Sequence, residues 1–204
     1  MKVLVACEFS GVVRDAFRAK GHDAYSCDII PCEADESWHH QCDARELLKF
    51  DWDLLIAHPP CTYLTNSGVR HLHDHTTIKG GAKAKGLQGS ERWVAMYEGA
   101  MLFKAFLDAD IPRICVENPI PHKYARGYIG KYTQIVQPWQ YGHGETKATC
   151  LWLKGLPKLE PTNVVDGRES RLHRLPPTED RAHLRSITFP GIAQAMADQW
   201  GDLS

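Results

Sequence analysis

The sequence predicts an α/β protein, a mostly parallel sheet with helices on both faces, as one domain over residues 1–204. Three observations predict it. Short apolar runs alternate with helical patterns through much of the chain. The runs are apolar throughout, as in strands covered on both sides. Polar or reactive residues follow them: Glu8-Phe9-Ser10-Gly11, then Asp28, then Pro59-Pro60-Cys61, then Glu117-Asn118-Pro119. In open α/β sheets ligands sit outside the carboxyl ends of the strands, so these groups are expected to converge on one edge.

Each element follows from local pattern. Lys2 to Cys7 is a short, valine-containing run and reads as a buried strand. Ser10-Gly11 turns the chain into a helix from Val12 to Lys20, with Val13, Ala16 and Phe17 on one face and Gly21-His22 closing it. Asp23 to Ile30 is a second strand. Pro31 to Gln41 reads as an irregular polar loop, Ala44 to Lys49 as a short helix and Asp53 to Ala57 as a strand. Thr65 to Gly89 is loop-like, with a glycine-rich basic stretch from Ile78 to Gly86. Glu91 to Asp108 predicts an amphipathic helix. Arg113 to Glu117, Tyr132 to Gln137 and Thr149 to Leu153 are further strands. Pro157 to Ser186 is polar and proline-dotted, and Pro190 to Trp200 is a closing helix.

Composition narrows the class. The 204 residues are enough for one domain with a sizeable core. Apolar residues make up 43% and charged residues 24%, ordinary values for a soluble globular chain. With a formal net charge of −1, any nucleic-acid surface has to be a local patch. No run approaches membrane-spanning length, and the N-terminus enters a strand pattern directly, without the shape of a signal peptide. Seven cysteines without paired spacing point to reduced thiols in a cytoplasmic setting.

Among the candidate site residues, Cys61 stands first. Two prolines fix φ immediately ahead of it, which suits a thiol that must be held in one place. Most lone cysteines are inert core residues, but a thiolate near a helix start or a basic group is a strong nucleophile. Glu117 follows Ile114-Cys115-Val116, and a glutamate at the end of a buried strand is costly unless it is paired or used. Phe9-Ser10-Gly11 is a tight turn where backbone amides can approach a ligand. Asp28 can accept hydrogen bonds from ribose hydroxyls or simply cap a turn. Asp43 reads as an N-cap.

These residues resemble the cytosine-C5 DNA methyltransferases. Phe9-Ser10-Gly11 is similar to their first, cofactor-binding motif. Pro59-Pro60-Cys61, followed by Thr65-Asn66-Ser67-Gly68, resembles their nucleophile motif. Glu117-Asn118-Pro119 resembles their Glu-Asn-Val motif. Tyr141-Gly142-His143-Gly144 and then Glu145-Thr146-Lys147-Ala148-Thr149 stand where the family has Phe-Gly and Gln-x-Arg-x-Arg. Pro190-Gly191-Ile192-Ala193 is similar to the closing motif. The order is right and the resemblance spans nearly the whole chain, most like the short phage- and prophage-borne members.

The resemblance implies a Rossmann-like S-adenosylmethionine-dependent methyltransferase fold and transfer of a methyl group to cytosine C5. It makes Cys61 the nucleophile at C6, with Glu117 at N3 and the exocyclic amine and Lys147 as a catalytic cation. It places the cofactor against Phe9, Ser10, Gly11, Asp28, Ile29, Asp43, Ala44 and Pro60. DNA is the implied partner, met by Ser67, Arg70, Lys79, Lys83, Lys85 and Asn118, with the Val69–Gly89 loop closing over an extruded base.

The chain also departs from the family. Val13 stands at the second glycine of the first motif, and Lys147 and Thr149 replace the arginine pair. Ile192 stands at an asparagine. Cys150 to Gly191 is too short for a target-recognition domain of usual size. In its place residues 154–190 form an arginine-rich loop whose Arg171 and Arg174 are expected to meet phosphates. Short or relaxed sequence preference follows, or specificity borrowed from a partner chain. Two other readings remain open: an enzyme modifying C5 of free pyrimidine nucleotides, and a non-catalytic DNA- or cofactor-binding relic. Cys27, Cys32, His39, His40 and Cys42, or His71, His73 and His75, lack the paired spacing of a zinc site, so no metal is expected.

Overall fold

The chain begins with β1 (Lys2–Ala6), α1 (Val12–Ala19), β2 (Asp23–Asp28), β3 (His39–Gln41) and β4 (Leu54–Ala57). It continues through α2 (Gly89–Leu107), β5 (Arg113–Pro119), α3 (Lys123–Ile129), β6 (Gln134–Val136) and β7 (Thr149–Lys154). It ends with α4 (Arg171–Arg174), α5 (Asp180–Ser186) and α6 (Pro190–Trp200). This computed structural model describes residues 1–73, 86–178 and 180–203. The strands form one seven-stranded sheet in the order β3-β2-β1-β4-β5-β7-β6. The first five run parallel, and β7 runs antiparallel to both of its neighbours. This is a Rossmann-like α/β sheet, the class expected from the alternation of runs.

Side-chain alternation divides the core in two. Leu4, Ala6, Leu55, Ala57, Ile114 and Val116 face α2 and α3, where Met96, Ala100, Phe103, Phe106, Ala125 and Ile129 meet them. Val3, Val5, Leu54, Ile56 and Cys115 face the opposite layer, against Val13 and Phe17 of α1 and Ile192, Ala193, Met196 and Trp200 of α6. Both faces of β4, and of β1 beyond Lys2, are therefore buried, which is why these stretches are apolar throughout. Burial of each large side chain contributes roughly 1.5–3 kcal/mol.

Several expectations shift. The helix expected at Ala44–Lys49 is a 3₁₀ turn over Ala44–Leu47. The Pro31–Gln41 loop contains edge strand β3, and Asn66–Leu72 winds into 3₁₀ turns inside the expected loop. The strand expected at Tyr132–Gln137 contracts to β6. The segment read as an arginine-rich loop carries α4 and α5. Helix α2 buries Arg92, Met96, Ala100, Phe103 and Phe106, yet leaves Val94 and Tyr97 exposed, so it is less cleanly amphipathic than expected. Among the described residues no helix is long and apolar enough to cross a membrane.

Candidate active site

From β1 the chain winds outward to β2 and β3, then returns to β4 on the other side of β1. The crossovers leaving β1 and β4 thus diverge and open a crevice at their carboxyl ends. Because β7 is reversed, the residues just before it reach the same edge. An open cavity of about 600 Å³ lies there. Its wall combines Cys7, Phe9 and Ser10 after β1, Pro59, Pro60 and Cys61 after β4, Glu117 and Pro119 of β5, Lys147 before β7, Arg185 in the last turn of α5 and Thr188 beyond it. A recess of about 350 Å³ shares His58, Glu117 and Lys147 and is closed by Leu151, Phe189, Ile192 and Met196.

Four charged or titratable groups set the electrostatics of this wall. The Cys61 carbonyl accepts from the amides of Leu64 (3.1 Å) and Thr65 (3.2 Å), so the thiol sits at the start of a turn. Burial and the Glu117 charge push the thiol up, while Lys147 and Arg185 pull it down. Burial also raises the Glu117 carboxyl, but His58 and Lys147 outweigh it and hold Glu117 below the usual carboxylate range. His58 Nδ1 lies 3.4 Å from Glu117 Oε1, an ion pair rather than a tight hydrogen bond. Burial alone would neutralise His58; Glu117 and Glu8 more than compensate, and its pKa rises. The Lys147 ammonium is held down by burial and donates to the carbonyls of Arg185 (2.7 Å) and Ile187 (3.3 Å).

On the other side of the cavity, Cys7 adopts φ 57°, a left-handed conformation uncommon for a residue with a side chain. Burial, then the charges of Asp28 and Asp43, push its thiol up to about 12, so both acids lie within electrostatic reach of the end of β1. The Glu8 carboxylate accepts from the amides of Val13 (2.6 Å) and Arg14 (3.1 Å) and caps α1. Gly11 has φ 72°, and a Cβ there would stand 2.7 Å from an Arg14 nitrogen. Asp28 Oδ1 accepts from the Ile30 amide at 3.2 Å, and the neighbouring Ile29 is 72% exposed. Asp43 caps the turn that begins at Ala44, accepting from the Arg45 amide at 2.9 Å, and pairs with the Arg45 side chain.

The remaining candidates scatter. Asn118 is fully buried, and neither its side-chain oxygen nor its nitrogen has a hydrogen-bond partner among the described residues. Ser67 Oγ bonds Thr65 Oγ1 at 3.0 Å, and Arg70 Nε donates to His71 at 3.2 Å. Lys79, Lys83 and Lys85 lie outside the described residues. Arg171 pairs with Glu145 (3.0 Å) and Glu169 (3.4 Å), and Arg174 is exposed on α4. The arginine that lines the cavity is Arg185. Among the described residues no group of three or more candidate ligands can hold a metal. Sequence reasoning gave His58 no role and placed Arg185 only in the arginine-rich loop expected to meet phosphates. His58 carried a signal, a histidine closing an all-apolar strand; nothing local marks Arg185.

No family model and no curated protein matches the chain. Among solved structures, a protein described as a DNA modification methyltransferase encoded within an E. coli prophage aligns at 14% identity and TM-score 0.49. That alignment covers 87% of this chain and 56% of the other. The Entamoeba histolytica methyltransferase EhMeth aligns at 12% identity and TM-score 0.44, over 81% of this chain and 57% of its own. The chain thus spans little more than half the length of either.

Proposed function

We propose that the protein transfers a methyl group from S-adenosylmethionine to C5 of cytosine in DNA, through a covalent adduct on Cys61. The observation that carries this reading is one cavity lined by a thiol, a carboxylate and an ammonium (Cys61, Glu117, Lys147) together with the Phe9-Ser10 turn. Cytosine C5 is a poor nucleophile. As the thiolate bonds C6, the C5–C6 π pair moves onto C5 and toward N3; C5 would then bond the methyl carbon as that carbon's bond to the donor sulfur breaks, and loss of the C5 proton to water would return the pair to C5–C6 and expel the thiolate.

The residues fit the donor: an acid closes β2 at Asp28, an exposed apolar side chain stands beside it at Ile29, and the Phe9 ring lines the cavity. Asp28, Ile29 and Phe9 would hold it, with Ser10, Gly11, Asp43, Ala44 and Pro60 around them. When bound, it supplies an electrophilic methyl group on a sulfonium. Cys61 attacks once its proton has left, which Lys147 and Arg185 favour. With His58 raised and Glu117 lowered, the proton of this ion pair rests on the imidazole, from which Glu117 would relay it to ring nitrogen N3 as charge enters the ring. Asn118, Ser67, Arg70, Lys83, Lys85 and Arg174 are proposed to meet the nucleic acid, with sequence preference short or set by a partner chain.

Incubation with methyl-labelled donor and DNA, followed by nucleoside mass spectrometry, tests the reading. Labelled 5-methylcytosine is expected, and none with Cys61→Ala. Label only on free deoxycytidine monophosphate, or undiminished product from the variant, would overturn it.

A further inference from the structure

We infer that Arg185 is a further catalytic residue, whose guanidinium holds the ring carbonyl of the pyrimidine that Cys61 attacks. The inference deepens the proposed function and rests on it for the substrate. Arg185 is distant in sequence from every other part of the site, yet it lines the same cavity as Cys61, Glu117 and Lys147. Its place is fixed through neighbouring groups rather than through its own side chain. Lys147 Nζ ties down the Arg185 and Ile187 carbonyls, and Ser186 Oγ donates to the His183 carbonyl at 2.7 Å. The His183 ring packs 5.3 Å from that of Phe9, and its Nδ1 lies 3.4 Å from Glu33 Oε1. The end of α5 is thus pinned on one side to the residue before β7 and on the other to the turn after β1.

The Arg185 guanidinium itself makes no hydrogen bond or ion pair among the described residues. Nearby arginines are committed: Arg171 pairs with Glu145, and Arg181 donates to the His173 carbonyl. Lys147 has spent two of its three N–H donors on backbone. Arg185 therefore brings a fork of donors, uncommitted among the described residues, to the cavity that Glu117 also lines as an acceptor. A ring read by this pair needs a donor edge and an acceptor edge side by side. Cytosine has them, the exocyclic amine for Glu117 and the 2-carbonyl for Arg185. A pyrimidine with a carbonyl in place of the amine would set oxygen against the Glu117 carboxylate. As sulfur bonds C6, negative charge spreads toward N3 and the 2-carbonyl, where a preplaced cation stabilises it. The same charge favours the Cys61 thiolate against Glu117.

The test uses the full chain with Arg185→Gln and Arg185→Lys, and two DNA substrates, one with cytosine and one with 2-thiocytosine at the target. Removal of one positioned donor of this kind costs about 10²–10³ in rate. Single-turnover transfer to cytosine should fall by that factor in Arg185→Gln, with donor affinity unchanged within about twofold. The wild type should discriminate against the thiocarbonyl and the Gln variant should not. In parallel, iodoacetamide alkylation of Cys61, followed by peptide mass spectrometry across pH, should show a midpoint raised by Arg185→Gln and retained by Arg185→Lys. Transfer within threefold of wild type, or discrimination preserved in Arg185→Gln, would overturn the inference. Should the wild type methylate no cytosine, the proposed function fails. The alkylation profile then still decides whether the guanidinium faces Cys61, and a midpoint that the Gln variant leaves in place refutes it.

Discussion

Replacing His58 by Gln tests the electrostatic centre of the site without touching the thiol. At 3.4 Å the His58–Glu117 attraction is about 5 kcal/mol at the effective dielectric of a protein site, before desolvation offsets most of it. Deleting one partner of a wholly buried pair costs about 3–5 kcal/mol. Here Glu117 keeps 21% side-chain exposure and the Lys147 charge, so the loss should lie near 2 kcal/mol. For a chain of this length that is a fall in Tm of about 4–8 °C. The groups facing His58 are Glu117 and Glu8, which raise its pKa, and Lys147, which lowers it. A raised histidine contributes fully below its ordinary value of 6.5, and that contribution is lost as pH rises through the folded value. A lowered carboxylate contributes above its ordinary 4.5 and loses that contribution as pH falls through the folded value. A double-mutant cycle of His58→Gln and Glu117→Gln, read by urea denaturation, should therefore show its largest coupling between those limits, near pH 6. The coupling should fade at a second, higher pH, above the raised His58 value. A coupling below about 0.5 kcal/mol at pH 6, or equal at both pH values, would refute the ion pair.

Other perturbations separate chemistry from scaffold. Cys61→Ala should abolish transfer, and wild-type protein should form a denaturation-resistant adduct with DNA containing 5-fluorocytosine, whose C5 fluorine cannot leave as a proton; absence of the adduct counts against Cys61 as nucleophile. Asp28→Ala should weaken S-adenosylhomocysteine binding at least tenfold by calorimetry, about 1.4 kcal/mol, and an unchanged affinity leaves Asp28 only its bond to the Ile30 amide. Gly191→Ala places a Cβ 1.9 Å from the Tyr141 carbonyl oxygen and 2.9 Å from His143 Nε2, so it should lower stability by about 1–3 kcal/mol; an unshifted denaturation midpoint contradicts that contact. Arg171→Ala strands the Glu145 carboxylate, 1% exposed, and should lower stability while leaving the salt dependence of DNA binding alone; Arg174→Ala should reduce the log–log salt slope by about one, and the reverse pattern would assign the phosphate contact to Arg171.

Strand runs were legible because both sheet faces are covered, so β1, β4 and β5 needed no partner to be recognised. Helix α6 was legible to its ends because Pro190 suits the first helical position. Helix α3 was not: it holds Gly127, and its N-cap is His122, whose Nδ1 accepts from the Ala125 amide at 3.0 Å, outside the usual Ser, Thr, Asp and Asn set. Strand β3 reads His39-His40-Gln41 and exists only through its pairing with β2. In the site, Cys61 and Glu117 could be found because Cys61 comes just after β4 and Glu117 stands toward the carboxyl end of β5. Arg185 could not, because no local pattern relates α5 to β4.

The reversal of β7 explains how a segment so late in the chain reaches the cavity. Leaving β7 at Lys154, the chain stands at the edge of the sheet away from the site. It returns along a path held by paired backbone. Gln134 bonds both the amide and the carbonyl of Leu159, and the Tyr141 hydroxyl donates to the same carbonyl at 3.2 Å. The Gly142 amide then donates to Asn163 and the Thr146 amide to Glu169, both at 2.7 Å, and Glu169 answers to Gly144 at 3.0 Å. Gly144 and Gly167 permit this close approach: a Cβ on Gly167 would stand 2.8 Å from the Gly144 Cα. Arg168 lies over the Trp139 ring at 3.8 Å, and Arg171 neutralises Glu145. Arg171, which reads in sequence as a free phosphate ligand, is thus partly spent, together with Arg168, on fastening the return path to the turn before β7. A segment too short for its own core gains order in this way from the rest of the fold. Its far end, with His183 packed on Phe9 and Arg185, Ser186 and Thr188 in the wall, then forms part of the cavity that Cys61 also lines.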